Sequence, residues 1–388
     1  MRSAAVCLLT CCLILLGAPA LNWLPASAQE ITEVCPPGGI QPWTAGFQPD
    51  GIILTTFDRN NIWLYDVARN ARYPLPETTP CSANCHLSPD ALWITYFDAA
   101  SRAISKMRLD GTERTLLDDN AAEIEWWTTD TLLIWTPAHE AYLRSEDGAE
   151  REFLHVERTV NIQPGGYWGL QIEQQEEEFL RVLVNTQTPG LAQATGQRVI
   201  LGMDVRYFNA AAWSPTGEWL AFAAPGLYDA NVGLAGAELF GIRPGDSAPT
   251  QWTNLNSAYG AARINGHAPG ELSWSPDGAH IAFWVIELLG PNPEGDTGHA
   301  VIHVLDINTG TVTAYCGFAT DEHTPNPPRL LWSPDSTHLA FGGNVPGDDM
   351  GYLLLALEIS TGVFTALSEG IYPALGTPDV IAWGASPP

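Results

Sequence analysis

A chain of 388 residues with 17 Lys plus Arg against 44 Asp plus Glu carries a net charge of −27, which repels phosphate backbones and anionic headgroups. Nucleic acid is therefore excluded as a partner, and an anionic membrane surface is disfavoured. The length would allow two ordinary domains, but radially repeated β-folds of this size form one unit, and one domain is expected.

Residues 1–28 read as a signal peptide: Arg2 supplies the positive end, residues 4–16 the apolar stretch, and Ala26-Ser27-Ala28 a small-residue cleavage site before Gln29. The expectation is an exported protein, periplasmic or extracellular. No later run approaches the ~20 apolar residues that a spanning helix needs, so no membrane span is expected. Residues 29–42, with Pro36-Pro37-Gly38-Gly39 and no periodicity, read as an irregular lead-in to a repeat domain at 43–388.

That domain repeats one phrase. It begins as Phe47-Gln48-Pro49-Asp50-Gly51, returns as Leu87-Ser88-Pro89-Asp90, wears down to Trp126-Trp127-Thr128-Thr129-Asp130, and becomes Ile162-Gln163-Pro164-Gly165-Gly166. The last three copies are the clean ones: Trp213-Ser214-Pro215-Thr216-Gly217, Trp274-Ser275-Pro276-Asp277-Gly278 and Trp332-Ser333-Pro334-Asp335, each followed by an apolar run such as Ile281-Ala282-Phe283-Trp284. The period is roughly 40–60 residues, without amphipathic helical pattern between copies, and this is the signature of a β-propeller blade.

Each unit resolves into four strands, a to d. In the sixth copy strand a ends at Trp274, Pro276-Asp277-Gly278 reverses the chain, and a second tight turn, Asn308-Thr309-Gly310, joins strands c and d. Pro presets φ, Asp bonds a backbone amide just beyond, and Gly tolerates positive φ. The fold class expected is all-β: a single propeller of four-stranded antiparallel blades, seven in number, with eight or six as alternatives. Val380-Ile381-Ala382-Trp383-Gly384 reads as a strand a with no blade behind it, which would close the ring on the N-terminal blade; residues 43–47 compete for the same slot.

The Trp-Ser-Pro-Asp-Gly-x-x-Ile-Ala-Phe phrase resembles the repeat of the TolB-like, or WD40-like, bacterial β-propellers, clearly over 213–370 and weakly in copies three and four. The resemblance implies a propeller with a protein-binding role. TolB resembles a propeller preceded by an α/β domain, whereas here the first blade begins soon after the signal, so its role in envelope integrity does not transfer. Related repeats cover prolyl-oligopeptidase-type hydrolases, but this chain has no room for their hydrolase domain.

The motifs of catalysis are sparse. Gly245-Asp246-Ser247-Ala248-Pro249 fails at the last position of a nucleophile elbow, and Ser214, Ser275 and Ser333 read as turn hydroxyls. The nine His show no His-Glu-x-x-His spacing; His280 and His338 read as strand starts, and the pair His299 and His303 as structural. The run at 173–178 reads as a solvated hairpin tip, and no metal site or cofactor is expected. Cys35, Cys81, Cys85 and Cys316 are the disulfide candidates of an exported chain, in three alternative pairings. A glycosidase-like carboxylate pair drawn from distant blades would leave no local motif.

Topology supplies the sharpest expectation. The a–b and c–d turns share one face and are tight, while long insertions at 225–236, 288–298, 344–351, 254–270 and 317–328 all fall on the other, in blades five to seven. Long loops on a rigid β-scaffold commonly carry recognition. The candidate partner-binding residues are Tyr228, Asp229, Asn231, Tyr259, Arg263, Asn265, His267, Asn292, Glu294, Asp296, Asp321, Glu322, His323, Asp348 and Asp349. The function expected is a non-enzymatic scaffold binding a protein or cell-envelope component; the alternative is a hydrolase or lyase acting on carbohydrate or peptide at the channel mouth.

Overall fold

The computed structural model describes residues 30–56, 61–78, 85–98, 100–146, 148, 151–156, 161–175, 178–187, 198–203, 210–229, 234–265, 272–292, 295–320, 328–344, 352–369 and 380–386. They form seven antiparallel sheets arranged as propeller blades. Blade three shows the plain plan, running outward through Glu123–Trp126, Thr131–Trp135, Ala141–Ser145 and Arg151–Leu154. Blade two is reduced at its centre, where Leu87 makes a single bridge to Ile94 in place of a full strand a.

The ring closes through the C-terminal end of the chain. Val380–Gly384 pairs antiparallel with Ile52–Thr55 and becomes strand a of blade one, so the competing segment at 43–47 does not take the slot. Residues 29–42 are not irregular throughout. Ile31–Val34 adds in parallel to the outer edge of blade six, and Gln41–Pro42 adds in parallel to the outer edge of blade seven. This strap is fixed by a disulfide between Cys35 and Cys316, whose Cα atoms lie 5.1 Å apart. Cys85 is also disulfide-bonded, while Cys81 lies outside the described residues.

The repeated phrase has two structural tasks. Its Ser and Asp form a closed turn: the Ser275 hydroxyl donates to Asp277 at 2.5 Å and accepts the His280 amide at 2.9 Å, and Ser333 repeats this with Asp335 and His338 at 2.6 and 2.9 Å. The buried Ser hydroxyls are thus consumed by the turn, as the sequence suggested. Gly217 and Gly278 hold the left-handed slot of the turn at φ 70°, and Ala91 and Ser336 hold the same slot in blades two and seven at φ 58° and 61°.

The Trp does more than pack. Its indole N–H reaches the innermost strand of the preceding blade: Trp213 donates to Asn161 O at 3.0 Å, Trp274 to Ala212 O at 3.1 Å, and Trp332 to Ser273 O at 2.9 Å. Trp126 does the same toward His86 O at 3.0 Å. These bonds form a girdle around the channel. Trp383 occupies the equivalent place in blade one, and its buried indole N–H has no hydrogen-bond partner.

Between blades the core divides into clusters, each shared by neighbours. The largest joins blades five and six, where Ala221, Leu239, Ile264, Phe283 and Leu305 interlock; the next joins six and seven through Trp284, Phe318, Phe341 and Phe364.

Candidate binding face

The ring is not level. Strands b and c are 4 and 5 residues long in blade one, 6 and 6 in blade two, and 5 and 5 in blade three. In blade five they reach 10 and 9 residues, Leu220–Asp229 and Leu234–Ile242, and in blade six 9 and 10, His280–Leu288 and Thr297–Asp306. In blades five and six the a–b turn is closed by the same Ser hydroxyl accepting the amide five residues on, at 3.1 and 2.9 Å, so the extra length projects from the opposite face. Four additional residues at ~3.3 Å each raise these hairpins by about 13 Å.

Much of what the sequence presents as loop is therefore strand. The 225–236 insertion is largely hairpin, and 317–328 begins as the end of Val312–Thr320. The 254–270 insertion contains a short helix, Asn256–Tyr259, followed by Ala262–Ile264, which pairs with Glu287, Ile286 and Val285 on the channel side of blade six. A third strand stiffens the raised hairpin where a free loop was expected.

A buried carboxylate organises this insertion. Glu238 on blade five accepts the Thr253 hydroxyl and the Leu255 amide, each at 2.7 Å, and the Asn256 amide at 2.9 Å. A buried charge is tolerated when so many donors satisfy it. Beyond it, the Tyr259 hydroxyl lies 2.7 Å from His303 Nε2, and His303 Nδ1 lies 2.9 Å from Val301 O. The carbonyl can only accept, so Nδ1 carries the proton and Nε2 accepts from Tyr259. Burial pushes the imidazole down to about 4, and burial, with Glu33 and Glu287 nearby, raises the Tyr259 hydroxyl.

The fifteen candidate residues separate accordingly. Tyr259, Arg263 and Asn265 belong to the interior of the wall: Arg263 is fully buried, and Asn265 clamps the Trp284 backbone, its side-chain oxygen accepting the amide at 2.9 Å. Asn292 and Asp296 lie at the exposed tip of blade six, where the Asp296 carboxylate accepts the Asn292 amide at 3.1 Å. Tyr228 and Asp229 fall on a blade five strand. Asn231, His267, Glu294, Asp321, Glu322, His323, Asp348 and Asp349 lie outside the described residues.

The sequence reading passed over Leu289. It is 60% exposed at the tip of the blade six hairpin, held by its amide to Asp296 O at 2.7 Å. It lies within the 288–298 insertion, whose polar members alone are candidates in the sequence, while its neighbour Leu288 is buried.

At the start of the innermost strand of blade three, Glu123 Oε1 lies 3.3 Å from His86 Nε2. Among the described residues no cluster of three or more His, Cys, Asp or Glu could hold a metal ion. Among the described residues the carboxylates that depart from their ordinary range, Asp98, Asp130, Asp306, Asp335 and Glu358, are all lowered, and in each the turn's hydrogen bonds account for it. A cleft of about 830 Å³ lies elsewhere, between the outer parts of blades one and two, lined by Leu64, Arg69, Tyr73, Leu75 and Arg114.

No protein-family model matches the chain, and no curated protein matches it. Solved structures do resemble it. TolB from Acinetobacter baumannii is 15% identical, with a TM-score of 0.41 over 86% of this chain and 82% of that one. Oligogalacturonate lyase from Vibrio parahaemolyticus is 11% identical, with a TM-score of 0.49 over 83% and 85%. Hydrazine synthase from Kuenenia stuttgartiensis is 11% identical, with a TM-score of 0.44 over 89% and 100%. Likeness at this level carries no function. The chain is a seven-bladed β-propeller, and TolB proteins are among the solved structures it resembles.

Proposed function

We propose that the protein is an exported, non-enzymatic scaffold that captures a protein or cell-envelope component on the raised wall of blades five to seven. The observation that carries this reading is the blade six hairpin, which is lengthened, braced by Ala262–Ile264 and tipped by exposed Leu289. A rigid apolar tip rimmed by polar groups suits an interface anchor, because little conformational entropy is lost when it docks. The Cys35–Cys316 disulfide supports an oxidising compartment. The field of a chain at −27 favours neutral or cationic partners.

The enzymatic alternative requires a carboxylate held protonated near neutral pH at the channel mouth; among the described residues the carboxylates that shift move the other way.

The test is quantitative capture of envelope proteins by the wild type and by Leu289→Asp. The expected result is at least a tenfold loss of the captured partner with the thermal midpoint unchanged. Equal recovery of the same partner by both proteins contradicts the proposal. Removing all of 288–298 is a poorer test, since Leu288 is buried and its amide bonds Ala261 O at 2.8 Å.

A further inference from the structure

A propeller has seven outer edges, each offering unpaired N–H and C=O groups to any passing strand, and natural proteins guard such edges. Here six of the seven are guarded by identifiable means. Blades six and seven are covered by the strap. Blade one has Pro74 within Ala71–Leu75, which removes a donor. Blade two offers only Thr115–Asp118, bounded by Arg114 and Asp119, and blade three only Arg151–Leu154, opened by Arg151 and Glu152. Blade five ends in two polar residues, Thr250–Gln251.

Blade four is the least guarded. Its outer strand, Arg198–Met203, is six residues long, lacks proline and reads Val-Ile-Leu-Gly-Met after its only charge. That charge is occupied, with Arg198 bonded to Glu173 at 2.7 Å. Ile200 is 52% exposed, and among the described residues no strand pairs with the outer side. Its protection is slight: one register shift against strand c, between Arg181 and Val182, beside Gly202 at φ 113°. Such a strand would be an aggregation hazard unless something covers it.

We propose that the outer edge of blade four is a docking site for an extended, proline-free segment of a partner protein, rich in β-branched residues and cationic. The mode is strand addition, which this chain already performs on itself at blades six and seven. The charge follows from the chain's field: the edge's only cation, Arg198, is paired with Glu173, and the whole chain stands at −27. This site is on the rim and does not depend on the raised wall.

The probe is the synthetic peptide Lys-Val-Thr-Ile-Thr-Val-Lys, read by hydrogen exchange of the full chain. Saturable protection of the amides at 199–203 is expected, lost when the peptide's central Ile is replaced by Pro and weakened at least tenfold in Ile200→Lys. Should Ile200→Lys lower the thermal midpoint, Ile200→Thr, which keeps a β-branched residue, is expected to weaken protection about threefold. No protection by the peptide overturns the proposal. Protection without peptide, together with a dimer in sedimentation, also overturns it, since the edge would then be taken by a second copy.

Discussion

Blades one to three and blades five to seven are built on one plan and differ in what has been added. The first group has short hairpins and worn copies of the phrase. The second has clean copies, hairpins up to twice as long, and outer edges that the strap covers in two of three cases. A regular base is what a tall hairpin needs. In blades six and seven the Ser–Asp turn and the indole bond fix the foot of the blade, so extra strand length becomes height at the other end.

The most severe way to break the comparison is to remove the shared closure. Truncation before Val380 deletes strand a of blade one, buried along its whole length, and should abolish the cooperative thermal transition seen by circular dichroism. A truncated chain that melts as sharply as the full one would contradict the assigned closure.

Next in size is the strap. Cys316→Ser severs the link to Cys35, and a loss of about 2–5 kcal/mol in denaturant unfolding is expected, confined to the side bearing the strap. Hydrogen exchange should rise at 312–315, which pair with Ile31–Val34, and stay unchanged in blade three.

The wall also has its own pH response. His303 titrates at about 4 when folded against an ordinary 6.5, so the unfolded chain binds more protons between those values and stability must fall as pH drops through that window. The loss is at most about 3 kcal/mol, and His303→Gln should flatten the slope between pH 6.5 and 4. An unaltered slope would show that the buried imidazole is not its source.

The smallest effects distinguish girdle members. Trp274→Phe removes a satisfied indole bond and should cost about 1 kcal/mol more than Trp383→Phe, whose N–H is unpartnered. Equal costs in urea unfolding would remove the girdle from the account.

The architecture was legible in the sequence because its turns are chemically marked: Pro, Asp and Gly leave a signature wherever the chain reverses. The seven-fold count followed from the same marks. The strap was not legible, because Ile31–Val34 and Gln41–Pro42 join blades through main-chain bonds, which no side-chain pattern announces, and Pro36-Pro37-Gly38-Gly39 between them reads as a turn. Closure was undecided for a related reason, since both ends of the chain offer a Trp beside apolar residues.

On the binding face, Tyr259, Arg263 and Asn265 read from sequence as surface groups because they are polar and lie in an insertion. Their burial depends on partners far along the chain: His303 for Tyr259, and the Trp284 backbone for Asn265. The crossover itself is drawn inward by Glu238, a residue hidden within a strand. The tip residues Asn292 and Asp296 were legible as exposed because a Gly-Pro-Asn turn needs no distant partner.

The most direct test of the raised wall places a photo-crosslinking amino acid at position 289 in one protein and at position 309, in the tight c–d turn of the same blade, in another. Both are activated in the native compartment. The account expects a discrete adduct from 289 and none from 309. Adducts from 309 alone, or the same adduct from both, would contradict it.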